Sequence, residues 1–179
     1  MLKWLWLSVV VIALDQLSKK WASAELLFNE ITQTGLPVYV MPSINWIMAH
    51  NYGASFGFLS DAGGWQRWFF VVLALVVSVV IVFWLKGLTR NDKWLAVALT
   101  LILGGAIGNV IDRALYGYVI DFVQFYYESS DGSCLPGFYF TGTQCNWPVF
   151  NIADMAIVGG AVLLIIDGIF GSKDAEPKV

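Results

Sequence analysis

Three long apolar runs dominate the chain: Trp68 to Leu85, with Ser78 as its only polar side chain, Trp94 to Ile111, and Ile152 to Phe170. A helix needs about 20 mostly apolar residues to cross about 30 Å of hydrocarbon, and each run comes close to that length. A fourth run starts at Trp4 and stays apolar to Leu14, after which Asp15, Gln16, Ser18, Lys19 and Lys20 interrupt it before Trp21. Carried on to Ala24 as one helix, it too is long enough to span. The pattern predicts an all-α membrane protein of one integral domain, residues 1–179, with four transmembrane helices at about 4–24, 68–85, 94–111 and 152–170. A cleavable signal peptide is the rival reading of the first run, with Lys3 as its n-region and Ala22-Ser23-Ala24 imitating a cleavage site. Asp15 and the two lysines sit where such a segment should be neutral, which favours a retained helix.

Four spans put both termini on one side of the membrane. That side carries Lys3, the short connection with Lys86, Arg90 and Lys93, and the tail with Lys173 and Lys178. The long connections, about 25–66 and 113–149, have their basic residues only at helix ends, so the positive-inside rule makes the termini cytoplasmic and these loops extracytoplasmic. Within the first loop, Leu36 to Met41 and Ile44 to Ala49 are rich in Val, Tyr, Ile and Trp and punctuated by Pro37 and Pro42, the signature of a small sheet. The tail from Ser172 to Val179 is expected to fray.

Composition agrees with a bilayer environment: 58% of residues are hydrophobic, 13% are charged, and the mean hydropathy is +0.69. His50 is the only histidine, and Cys134 and Cys145 are the only cysteines. That supply fits neither a typical zinc or iron-sulfur site nor a Ser-His-Asp system, so no metal and no cofactor is expected. A net charge of -3 without a basic stripe makes nucleic acid an unsuitable partner and leaves membrane lipids as the surroundings.

Charges inside spans are expensive, by at least about 2.5 kcal/mol each at the centre, so their positions are informative. They collect at one leaflet. Asp15 and Lys19 share a face at the outer end of the first helix; Asn109, Asp112 and Arg113 share one at the outer end of the third; Asn151 and Asp154 open the fourth, and Asp121 follows the third. Bland readings exist for each: Asp15 with Lys19, and Asp112 with Arg113, as ion pairs locking helix ends, and Asn151 or Asp154 as helix caps. Asp167 reads as interfacial and inert, and Gly104, Gly105, Gly108, Gly159 and Gly160 as helix-contact residues. Chemistry at this cluster has only carboxylates to work with. Two close Asp groups cannot both ionise comfortably, so one keeps a proton while the other serves as a base, and a water between them can be driven onto a peptide carbonyl. Spacing leaves open which two of Asp15, Asp112, Asp121 and Asp154 would pair.

Five blocks resemble the bacterial lipoprotein signal peptidases (signal peptidase II). They are Asp15-Gln16-Leu17-Ser18-Lys19, Asn51-Tyr52-Gly53-Ala54-Ser55-Phe56, the run Gly104 to Arg113, Val119-Ile120-Asp121-Phe122, and Phe150-Asn151-Ile152-Ala153-Asp154. The stretch Gly63 to Phe70 also looks like proteobacterial members. The resemblance implies an intramembrane aspartyl endopeptidase of the bacterial inner membrane. Its partners would be diacylglyceryl-modified prolipoprotein signal peptides, cut before the lipid-modified Cys near the periplasmic face. It implies Asp121 and Asp154 as the catalytic dyad, and Asp15, Lys19, Asn51, Gly53, Asn109, Asp112, Arg113, Asn151 and Ala153 as positions that support the site or bind substrate. It also implies a small extracytoplasmic sheet and a mobile loop helix within Leu36 to Ser60. Asp121 and Asp154 stand 33 positions apart, further than is usual in that family, and the extra segment is about Glu128 to Trp147.

Two other classes compete with this one. A small proton-coupled transporter would place its polar groups near the midplane in repeated halves, and the chain shows no repeat. A non-catalytic four-helix scaffold would leave the intramembrane polar residues without a purpose. Cys134 and Cys145, 11 positions apart in a loop assigned to an oxidising compartment, are expected to form a disulfide.

Overall fold

The computed structural model describes residues 1–53 and 63–170 of the chain. A 3-10 turn at Leu2–Trp4 leads into α1 (Leu5–Glu25), and strands β1 (Val38–Met41) and β2 (Ile44–Asn51) follow. Then come α2 (Trp65–Gly87), α3 (Lys93–Tyr116), β3 (Val119–Glu128), β4 (Tyr139–Thr141), β5 (Gln144–Asn146) and α4 (Ile152–Phe170). Among the described residues, three helices are long and apolar enough to cross a membrane: α2, α3 and α4. α1 contains neither Gly nor Pro, so nothing breaks it where Asp15, Lys19 and Lys20 interrupt the apolar run.

The inner face of α1 explains how it tolerates those charges. Its buried residues are Ser8, Val11, Asp15, Lys19 and Ala22, a stripe at helical spacing, while Val9, Val10, Leu14 and Leu17 point outward. α1 therefore presents Asp15 and Lys19 to α3, while Lys20 and these apolar groups are exposed. α3 is the central helix, packed against α1, α2 and α4. Its glycines allow the close approach: a Cβ at Gly104 would come within 2.8 Å of Val11, and one at Gly105 would run into the Ala153 carbonyl oxygen. Gly160 of α4 likewise lies against the Ala98 carbonyl, whereas Gly159 faces open space and makes no such contact, contrary to the expectation of paired contact glycines.

The sheet departs most from expectation. It is antiparallel and five-stranded, in the order β1-β2-β3-β5-β4, and only β1 and β2 come from the loop in which strands were expected. The second long loop supplies the other three, so the small sheet expected from the first loop is present but extends through both. β3 escapes a period-two reading because Val119, Ile120, Asp121 and Phe122 are buried in succession, Ile120 and Phe122 in a cluster with Ala22, Leu26 and Ile152, and Asp121 against the Asn51 and Asn151 amides. α3 also runs past Ile111 through Arg113 to Tyr116, stopping where Gly117 takes a φ of +90° and donates its N–H to the Arg113 carbonyl. In the first loop, Val38–Met41 and Ile44–Asn51 are strands joined by a turn at Pro42 and Ser43, and the part of the proposed loop helix at 54–60 lies outside the described residues.

Candidate active site

Four elements bring the polar residues together: the C-terminal halves of α1 and α3, the first turn of α4, and the start of β3. Sheet register sets the position of Asp121. β3 pairs with β2 so that Asp121 stands opposite Ala49 and Val119 opposite Asn51, after a bulge between Trp46 and Ala49 that buries both Ile47 and Met48. The Asn51 side chain, two residues along from Ala49, then donates to Asp121 at 3.1 Å.

The four aspartates divide into two sets. Asp15 and Asp112 both bind Lys19, whose ammonium lies 2.9 Å from the first and 2.8 Å from the second, and all three side chains are buried. Their remaining oxygens are filled by protein donors. Asp15 accepts the Ala153 backbone N–H at 2.9 Å, and Asp112 accepts the Ile120 N–H at 3.1 Å and the Gln16 amide at 2.9 Å. This pair is a structural lock joining α1, α3, β3 and α4. The expected ion pair of Asp112 with Arg113 does not form, because Arg113 lies on a different side of α3. Arg113 donates to the Gly53 carbonyl at 2.7 Å, and its guanidinium sits 5.1 Å from the Phe70 ring centre.

Asp121 and Asp154 form the second set. Among the described residues neither lies in an ion pair, and their partners are neutral amides. Asn151 donates to Asp121 at 2.6 Å, and Asn109 donates to Asp154 at 2.8 Å. The Asn109 carbonyl oxygen in turn accepts from Lys19 at 3.0 Å and from Asn151 at 3.2 Å, so one amide connects the lock to both remaining carboxylates. Asn151 also caps α4: its side-chain oxygen accepts the Asp154 N–H at 2.9 Å, and its own N–H reaches back to the Asp154 carboxylate at 3.3 Å. The capping reading of these residues and their place in the cluster are therefore both met. Burial, and then the charge of Asp154, push the Asp121 carboxyl well above the ordinary carboxylate range, against the smaller opposing pull of Asn51, Lys19 and Asn151.

Asp121 and Asp154 line one cavity of about 1430 Å³, together with Asn51, Asn109 and Arg113. Asp15 and Asp112 are not among its lining residues. Of the other expected site positions, Gly53 and Ala153 act through their backbones, and Ala54, Ser55 and Phe56 lie outside the described residues. Several cavity residues were not picked out by sequence reasoning. His50 lines it with its ring stacked between Phe28 at 3.7 Å and Tyr118 at 3.8 Å, where burial lowers its pKa to about 4 and keeps it neutral near pH 7. Gly137, Phe138, Tyr139 and Trp147 come from the long second loop, whose β-rich, aromatic sequence was the available signal. In that loop Cys134 and Cys145 are bonded, with Cα atoms 5.6 Å apart.

Two carboxylates in one cavity, held by neutral amides and set apart from a salt-bridged pair nearby, suit acid-base activation of a water. Comparison with known proteins points the same way. Residues 7–170 match the family model described as signal peptidase (SPase) II. A lipoprotein signal peptidase of Acinetobacter baumannii is 48% identical over 175 residues, covering 98% of this chain and 87% of that protein. One from Pseudomonas putida is 45% identical over 179 residues, covering 99% and 92%. Among solved structures, a bacterial membrane enzyme determined by the in meso method at 2.3 Å resolution is similar with a TM-score of 0.75 at 25% identity, covering 99% of this chain and 93% of that one. With a family match across nearly the whole chain and relatives this similar, the chain belongs to the signal peptidase II family.

Proposed function

We propose that the protein is an intramembrane aspartyl endopeptidase that removes the signal peptide from diacylglyceryl-modified prolipoproteins, cutting the bond before the lipid-modified Cys. The observation that carries this reading is the separation of the four aspartates: Lys19 forms salt bridges with Asp15 and Asp112, while Asp121 and Asp154 share a cavity in which, among the described residues, neither forms a salt bridge and the Arg113 guanidinium acts on them only at longer range. Burial and the charge of Asp154 raise the Asp121 carboxyl, so the scheme starts with the proton that the pair shares on Asp121. Asp154 then takes a proton from a water as its oxygen attacks the scissile carbonyl carbon, and Asp121 gives its proton to the carbonyl oxygen. Collapse of the resulting gem-diol breaks the C–N bond, the proton held by Asp154 passes to the leaving amine, and a diol proton returns to Asp121. No metal or other cofactor enters the scheme.

In the same reading α1 is a fourth span, its charged stripe buried against α3, and residues 1–179 form a single integral membrane domain. The protein then sits in the bacterial inner membrane with cytoplasmic termini and the cavity at the periplasmic side, amid membrane lipids and with no role for nucleic acid. Its mid-helix polar groups suit packing better than transport: the Ser8 hydroxyl donates to the Thr100 carbonyl at 2.7 Å, and the Thr100 hydroxyl to the Ala96 carbonyl at 2.8 Å. The deciding experiment is cleavage of a synthetic lipid-modified signal peptide by purified protein with excess chelator. Cleavage one bond before the lipidated Cys supports the proposal, and a chelator-sensitive reaction overturns the two-carboxylate scheme.

A further inference from the structure

The segment that lengthens the interval between Asp121 and Asp154 is folded as part of the cavity. β3 continues past Asp121 to pair with β5, placing Tyr126 opposite Asn146 and Glu128 opposite Gln144. β5 turns back on β4 through Gly142, at φ +65°, and Thr143. The bond from Cys134 to Cys145 fastens the approach to β4 onto β5, and Leu135 donates its N–H to the Tyr127 hydroxyl at 2.7 Å. Inside this frame the rings of Tyr127, Phe138 and Trp147 stand in succession, each 5.2 Å from the next. Trp147 is tied to β3 by its N–H on the Phe125 carbonyl at 2.8 Å, and Gly137, at φ +90°, lets the backbone lie against its ring.

The cavity thus has two unlike sides. Down α4 it is lined by Met155 and Val158, whose side chains are more than half exposed on an apolar helix. On the side of the sheet it is lined by Phe138, Tyr139 and Trp147. A lipid-modified substrate also has two unlike parts at its cut: acyl chains that belong with the apolar helix, and polypeptide that continues away from the bilayer. Tyr139 lies on the edge strand of the sheet, which has a strand partner on one side only among the described residues. An edge strand can take an extended chain alongside it.

We infer that the disulfide-fastened β4-β5 hairpin is a specificity wall, at which Phe138, Tyr139 and Trp147 bind the extended polypeptide that follows the lipid-modified Cys. The inference rests on the peptidase reading of the site. Two lipopeptides test it, one ending one residue after the lipidated Cys and one extending six residues further. They are given to wild type and to the Tyr139→Ala and Phe138→Ala variants. Tyr139 is largely exposed, so its truncation leaves the folded hairpin in place. The expected result is a fall of about fivefold in the ratio of kcat/KM for the long peptide over the short one, the worth of one aromatic contact, appearing in the KM of the long peptide. A ratio unchanged in both variants overturns the inference, as does an equal loss on both peptides. Sensitivity that instead follows acyl-chain length also overturns it, by assigning the wall to the lipid. Wild type that cleaves neither peptide refutes the peptidase reading itself, an outcome distinct from failure of the wall alone.

Discussion

Asn109 donates its side-chain amide to Asp154 at 2.8 Å while its carbonyl oxygen receives the Lys19 ammonium at 3.0 Å, so the group that orients one cavity carboxylate is itself fixed by the buried ion pairs. Asn109→Ala removes both contacts. Loss of an amide donor to a charged group is worth about 1.5–3 kcal/mol, which predicts a kcat about 10- to 100-fold lower in a protein that still folds. Steady-state cleavage of a lipopeptide measures it, and a kcat within a factor of two of wild type would remove Asn109 from the positioning role.

For the proposed dyad, Asp121→Asn and Asp154→Asn should each abolish cleavage in folded protein, because an amide neither accepts the water proton nor returns one. Residues that act as one unit are strongly non-additive, so the double variant should be no worse than either single one. If either variant kept more than about 5% of wild-type turnover, where proton transfer alone contributes at least about 100-fold, the assignment would be wrong.

Lys19 is buried between two carboxylates, and replacing it by Met strands both. Breaking a buried pair from one side costs about 3–5 kcal/mol, so Lys19→Met should lower the thermal unfolding midpoint in detergent much more than Asp15→Asn does. Equal midpoints for Lys19→Met and wild type would show that the ion pairs are not holding the helix ends.

The dependence of stability on pH follows from two groups outside the spans. Asp121 is raised on folding, so its contribution is complete below the unfolded carboxylate value of about 4 and is lost as pH rises through the folded value. Asp121→Asn should therefore gain stability relative to wild type as pH increases. His50 works in the opposite direction: its pKa falls from 6.5 to about 4 on folding, so its contribution is present above 6.5 and lost as pH drops toward 4. His50→Gln should flatten that acid limb. Unfolding midpoints between pH 4 and 8 decide both, and parallel curves for variant and wild type would contradict the assignment.

Replacing Cys134 and Cys145 together by Ser should leave measurable cleavage, since neither sulfur lines the cavity. Closing a loop of this length contributes at most about 3 kcal/mol in the chain-entropy model. The effect expected is faster proteolysis between Glu128 and Trp147, read by limited digestion, with the helices intact. Complete loss of activity would give the bond a direct role in the site.

Hydropathy alone located α2, α3 and α4 to within a few residues, because an apolar solvent leaves a continuous apolar run as its signature. It was less informative where burial is polar. α3 continues through Asp112 and Arg113 because those side chains have partners inside the protein, which no apolar pattern reports. β3 lacked alternation because it is covered on both faces, leaving its Val, Ile, Phe and Tyr content as the only signal. Clustering of polar residues at three helix ends and Asp121 was legible from spacing. The i, i+4 pairing of Asp15 with Lys19 was legible as well. The second bond from Lys19 to Asp112 and the grouping of four aspartates into two sets were not, since they depend on sheet register and on which way α3 is turned.

β3 carries Asp121 near one end and the wall-bearing hairpin at the other, and this makes it a ruler. At about 3.3 Å per residue, Tyr127 stands about 20 Å along the strand from Asp121. Insertions and deletions should therefore be tolerated very unevenly. One residue added between Val119 and Asp121 would turn the carboxylate to the opposite face of the sheet, out of the cavity. Residues added between Ser129 and Ser133 would open the exposed turn that Asp131 closes by accepting from Ser129 and Ser133, but would leave the pairing of β3 with β2 unchanged. The hairpin can accordingly be enlarged, shortened or replaced over evolutionary time without resetting the distance between the two carboxylates, leaving the reach of the cavity to vary while its chemistry stays fixed.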